Sequence, residues 1–155
     1  MKRANSHLQK WFCLGDDRGS VYVEFALVLP VLLLLFLGAL EYGLAFREHQ
    51  VLQNAAREGA HFSALPANSA LGNPGAISAI RQRVIDYCSA ENIQPPVGSG
   101  DITIDQNCAI AVGGTFVRAS QVSLMHTHTP ITGGAFLPGG GVVTLQASAV
   151  FCNMY

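Results

Sequence analysis

Charge is scarce in this chain. Only 12% of its 155 residues are Asp, Glu, Lys or Arg, while half are apolar. The net charge is −1 and no basic patch stands out, so the electrostatic footprint of a nucleic-acid binder is missing. Catalytic signatures are missing too. There is no Gly-x-Ser-x-Gly elbow, no phosphate-cradling Walker loop and no His-Glu-x-x-His helix. No local motif organises the Ser, His and Asp residues that are present. The chain reads as a non-enzyme with no cofactor.

The apolar excess is concentrated in one place. Val21 to Leu40 holds a single ionisable residue, Glu24. Twenty helical residues at about 1.5 Å each span roughly 30 Å, the hydrocarbon thickness of a bilayer. Lys2, Arg3, Lys10 and Arg18 precede this run, and the first basic residue after it is Arg47. The positive-inside rule then places the N-terminus in the cytoplasm and the C-terminal part outside. A secretory signal peptide fits poorly. The run exceeds the usual apolar core of about 7–15 residues, and no Ala-x-Ala site follows it promptly.

A carboxylate within such a run is costly, by roughly 2.5–3.5 kcal/mol at mid-membrane and less near an interface. It therefore asks for a partner, and Glu24 is the first candidate functional residue.

Three regions follow. Residues 1–19 form a polar, basic leader. Residues 20–63 read as one long helix, a membrane span continuing into an amphipathic stalk. Residues 64–155 form an extracytoplasmic domain. In the stalk Leu44, Val51, Leu52, Ala55, Ala56, Gly59 and Ala60 keep helical spacing. Arg47, Glu48, Gln50, Gln53, Asn54, Arg57, Glu58 and His61 cover the rest of the circumference. Ala55, Ala56, Gly59 and Ala60 make a small-residue surface suited to close packing. It is expected to pack on the chain's own sheet, with the membrane-proximal part of the helix shown to neighbouring subunits.

Pro, Gly and Asn mark residues 64–76 as a loop. Residues 77–90 read as a second helix, with Ile77, Ile80, Val84, Ile85 and Cys88 on one side. Strands are expected at 101–105, 117–129 and 142–152. The last places Val143, Leu145, Ala147, Ala149 and Phe151 on one face. The fold class is α+β: a long helix laid on a small antiparallel sheet, with a second short helix.

Cys13 precedes the span and is expected to be cytoplasmic and reduced, whereas Cys88, Cys108 and Cys152 fall outside, where disulfides persist. Cys88–Cys108 is the preferred pair, closing a loop of 21 residues, worth about 3 kcal/mol on the chain-entropy model. Cys152 is then left over. His126 and His128 share a strand face, a spacing usable by a metal, but two ligands do not make a site, and no metal is expected.

Four sequence blocks then occur in order. They are Asp17-Arg18-Gly19-Ser20, Val23-Glu24-Phe25-Ala26-Leu27-Val28-Leu29-Pro30, Glu41-Tyr42-Gly43, and Asn54-Ala55-Ala56-Arg57-Glu58-Gly59-Ala60. Together they resemble the TadE-like family, minor pseudopilins of the tight-adherence (Flp-type) pilus system related to type IV pili. A TadF- or TadG-like branch shares the N-terminal motif. The resemblance implies a precursor in the inner membrane, cut by a prepilin peptidase between Gly19 and Ser20. It makes Glu24 the fifth residue of the mature chain, and implies other minor and major pilins and the pilus assembly machinery as partners. Val21-Tyr22 stands where many relatives carry small residues. Two rivals are a bitopic membrane protein with an unprocessed extracytoplasmic binding domain, and a secreted or periplasmic enzyme on a signal anchor.

Overall fold

The computed structural model describes residues 17–69, 71–133 and 141–153. Most of the leader, with Cys13, and residues 134–140 of the loop before the last strand lie outside them. In chain order the elements are α1 (Asp17–Ser63), α2 (Pro74–Ala90), β1 (Ile102–Val112), β2 (Thr115–His128) and β3 (Val143–Cys152). Residues up to Leu37 and residues from Gly38 onward make two separate units.

In the first unit every large apolar side chain from Val21 to Leu37 is exposed. Water would not tolerate such a surface, whereas lipid solvates it. α1 is long and apolar enough to cross a membrane. Among the described residues α1 is the one helix able to anchor the chain in a membrane. Pro30 lies inside α1, which continues on both sides of it. The helix also begins earlier than expected, at Asp17 rather than residue 20.

The second unit is an α+β sandwich. Its sheet has the order β1-β2-β3, antiparallel throughout. β1 and β2 form a hairpin closed by Gly113 and Gly114, with φ of 59° and 87°. Those left-handed values match the twist of a tight hairpin and favour glycine. The core joins Leu52, Ala55, Ala56 and Ala60 of α1 to Ile80, Val84 and Cys88 of α2, and to Ile102, Val122, Leu124 and Ala147 of the sheet. Burying a Leu or Ile such as Leu52, Ile80 or Leu124, each at most 1% exposed, is worth about 1.5–3 kcal/mol.

In this unit two boundaries differ most from the sequence reading. α2 starts at Pro74, inside the expected loop. The Asn-Pro pair reads as a breaker, but here it starts the helix. Asn73 is the N-cap, its Oδ1 accepting from the Gly75 N–H at 3.0 Å, and Pro74 occupies the first turn, where its missing N–H costs nothing. β1 runs on to Val112 instead of stopping at Asp105. A register shift between Asp105 and Cys108 breaks the alternation. Asp105 Oδ1 accepts from the Asn107 N–H at 2.9 Å across this bulge, and pairing then resumes.

Ala55, Ala56, Gly59 and Ala60 are buried within the domain. A Cβ at Gly59 would lie 2.5 Å from Val84 Cγ2 and 3.4 Å from Val122 Cγ1. Val84 is β-branched and fully enclosed, so it has little freedom to give way. Gly43, also on α1, has nothing within 4 Å of such a Cβ. Thermal unfolding of the full chain in detergent micelles should separate the two. Gly59→Ala is expected to lose about 1–3 kcal/mol through overpacking, while Gly43→Ala gains up to about 1 kcal/mol of helix propensity. Equal melting temperatures for the two variants would refute the close approach.

Candidate functional site

Gly19, Ser20 and Glu24 are exposed on the first turns of α1. Glu24 has no hydrogen-bond or ion-pair partner among the described residues, so its carboxylate stands alone on an exposed, otherwise apolar surface. The Gly19–Ser20 bond lies in helical backbone. A protease that takes an extended strand would first have to unwind this turn. Two features make that cheap. The first N–H groups of a helix have no intrahelical partners, and glycine weakens a helix by about 1 kcal/mol relative to alanine.

A second polar group forms inside the domain. The imidazoles of His126 and His128 project from one face of β2 onto α1, with side chains only 3% exposed. Glu48 meets them from α1. Its Oε2 is 2.6 Å from His128 Nδ1 and 3.8 Å from His126 Nε2. Two turns earlier, Glu41 is 2% exposed. Its Oε2 accepts from the Thr132 hydroxyl at 2.9 Å and from the Thr132 N–H at 3.4 Å. Three buried atoms of this group, Glu41 Oε1, His126 Nε2 and His128 Nε2, make no hydrogen bond among the described residues.

The sequence reading assigned Glu48 to the outer circumference of the helix, and the structure corrects this. Glu41, Ala45, Glu48, Leu52, Ala55 and Gly59 advance by alternating steps of four and three residues, which is one face. Both carboxylates thus sit on the stripe that carries the core, and that spacing was the available signal. The cluster does not form a metal centre. A 2.6 Å contact between His128 and Glu48 is a direct hydrogen bond and leaves no room for an ion between them. No group of three or more His, Cys, Asp or Glu among the described residues is disposed to hold one.

The expected Cys88–Cys108 disulfide is absent, and both thiols are free. Strand geometry gives the reason. Cys108 pairs with Ala119, which pairs with Cys152, so these three share a row on the sheet face away from the helices. Cys88 points the other way, into the core. Cys108 and Cys152 are two strands apart, roughly 10 Å, and are likewise too distant to bond.

Burial pushes the Cys88 thiol up from 9.0 to about 11, because desolvation disfavours the thiolate. At pH 8 a thiol reagent is expected to label Cys108 and Cys152 in the folded chain and to leave Cys88 unlabelled until denaturant is added, as read by peptide mass. Rapid labelling of Cys88 in the native chain would contradict its enclosure. Above about pH 9 the unfolded thiol loses its proton while the folded one keeps it, so stability falls as pH rises toward 11.

The Glu48 cluster carries its own prediction. Glu48→Ala leaves two buried imidazoles facing a void and is expected to cost about 1–3 kcal/mol. Glu48→Gln, which keeps the shape and a hydrogen-bonding amide, should cost less. Chemical denaturation of the two variants gives the comparison.

Residues 19–61 match the sequence family described as TadE-like protein. The match begins at Gly19, passes through Glu24, Glu41 and Glu48, and ends in the stretch packed on α2 and the sheet. No curated protein and no solved structure matches the chain.

Proposed function

We propose that this chain is a minor pseudopilin of a tight-adherence pilus. It would be made as an inner-membrane precursor with a cytoplasmic N-terminus and cut between Gly19 and Ser20 by a prepilin peptidase. The match over residues 19–61 points to a pilus-associated protein. The finer reading rests on one observation. The only carboxylate in the apolar run, Glu24, lies five residues past a glycine that follows a basic leader.

Cleavage supplies what Glu24 lacks. Proteolysis after Gly19 creates an α-amine on Ser20, protonated near neutral pH. In low dielectric, opposite charges attract strongly, and an unpaired carboxylate is expensive. A chain's own Ser20 is close to Glu24 along the helix, but in an assembly the amine of one subunit can meet Glu24 of the next. That contact sets axial register, and it exists only after processing. The domain formed by α2 and the sheet faces the periplasm and contacts other minor and major pilins. The protein acts as a substrate of the peptidase and as a structural subunit.

Intact mass of the membrane-extracted protein tests processing. A mature chain beginning at Ser20 is expected, and Gly19→Arg should retain Met1. Glu24→Ala should be cleaved normally yet fail to enter pili. An uncleaved native chain removes the pseudopilin reading, and normal piliation with Glu24→Ala removes the register role.

A further inference from the structure

β3 is an edge strand, and its free edge is only partly closed. The Asn153 N–H donates to the Arg118 carbonyl at 2.8 Å. Odd-numbered residues at this end therefore bond β2, and Gln146, Ser148, Val150 and Cys152 turn their N–H and C=O groups away from it. Two of these are capped from α1. His49 Nε2 lies 3.2 Å from the Gln146 carbonyl, and Gln53 Nε2 donates to the Ser148 carbonyl at 2.8 Å. The rungs keep step, because four helical residues rise about 6 Å and two strand residues about 6.8 Å.

By the same step a third rung would set Arg57 against Val150, but no hydrogen bond is made there and the ladder stops at Gln53. Arg57 is exposed, with no hydrogen bond or ion pair among the described residues. Its neighbour Glu58 does not neutralise it, since that carboxylate is held by Arg83 at 2.8 and 3.1 Å. In place of a cap is a cleft of about 600 Å³, whose lining includes Asn54, Arg57, the Arg83-bound Glu58, His61, Tyr87, Val150 and Phe151. One wall is aromatic. The Phe151 ring, on a residue 42% exposed, meets His61 edge-on at 5.1 Å and 88°.

We propose that this cleft docks an extended segment of a partner protein, added as a short fourth strand along Val150–Cys152, with a carboxylate of that segment paired to Arg57. The outward N–H and C=O groups of Val150 and Cys152 supply main-chain bonds, and the aromatic wall accepts an apolar side chain. The unneutralised guanidinium selects the acidic residue, which it can grip bidentately. The partner is a different chain rather than a second copy. The carboxylates on and beside this chain's own edge strand β1 are already engaged. Asp105 accepts from the Asn107 N–H at 2.9 Å, and Asp101 from the Gly98 N–H at 2.8 Å. The assembly reading supplies the setting in which such a neighbour is met.

The test places a photoreactive benzoylphenylalanine at Asn54 of the full chain in piliated cells and maps the adduct by mass spectrometry. The expected adduct is with another protein, in an extended segment within a few residues of Asp or Glu. Arg57→Gln should lower its yield about tenfold without lowering the melting temperature, and Arg57→Lys should restore part of it. No adduct, an adduct indifferent to Arg57→Gln, an adduct in a helix or an acid-free segment, or an adduct with a second copy of this chain would each overturn the proposal. The N-terminus is read in the same sample. A chain cleaved at Ser20 without adduct defeats the dock alone, and an adduct on an uncleaved chain defeats the assembly reading alone.

Discussion

At Gly59 the backbone of α1 approaches Val84 and Val122 so closely that a methyl group would have to displace one of them. The rest of the domain follows from that approach. For a helix to reach both α2 and the sheet at once, the residues around the contact must be small, and Ala55, Ala56 and Ala60 are. The larger side chains that fill the remaining space, Leu52, Ile80 and Leu124, sit where the three elements diverge enough to hold them. The small-residue stretch of α1 is thereby consumed inside the chain. Any partner of this part of the helix must use its opposite stripe, where Asn54, Arg57 and His61 are exposed.

The same helix face carries two carboxylates, which is unusual for a core-facing stripe. A buried carboxylate adds little net stability over a well-packed apolar residue, but removing one partner is costly. Glu48 and Glu41 therefore act best as registers. Rotating α1 on the sheet, or sliding it by a turn, would separate Glu48 from His128 and Glu41 from Thr132. Helix side chains also blunt the edge of β3. His49 and Gln53 occupy carbonyls that would otherwise template pairing with other chains. Among the described residues these caps stop before Val150, where the exposed Arg57 lies beside the uncapped edge and the proposed strand addition would be made.

Much of this architecture was legible in the chain itself. The membrane helix, the amphipathic continuation, the second helix and the three strands all follow from hydrophobic periodicity. The alternation of Val143, Leu145 and Ala147 places their side chains on the helix-facing side of β3. The start of α2 was missed because Asn and Pro act both as breakers and as helix initiators, and only the Asn73–Gly75 hydrogen bond separates the two roles. β1 was cut short because a bulge interrupts the alternation that reveals a strand. The Cys88–Cys108 pairing failed because spacing along the chain says nothing about which face of a sheet a thiol occupies.

The sequence by itself determined that one helix meets lipid over its apolar run, that a lone carboxylate lies five residues past a glycine, and that a small α+β domain follows. These are local properties, set by side-chain type and by the repeat of helix and strand over a few residues. Tertiary structure alone decided that Glu48 meets His128 from 80 residues away, that Cys88 and Cys108 lie on opposite sides of the sheet, and that the caps on β3 stop at Gln53, short of Arg57. Such pairings depend on how the chain closes on itself, and that closure is governed here by how near α1 can come to Val84 and Val122.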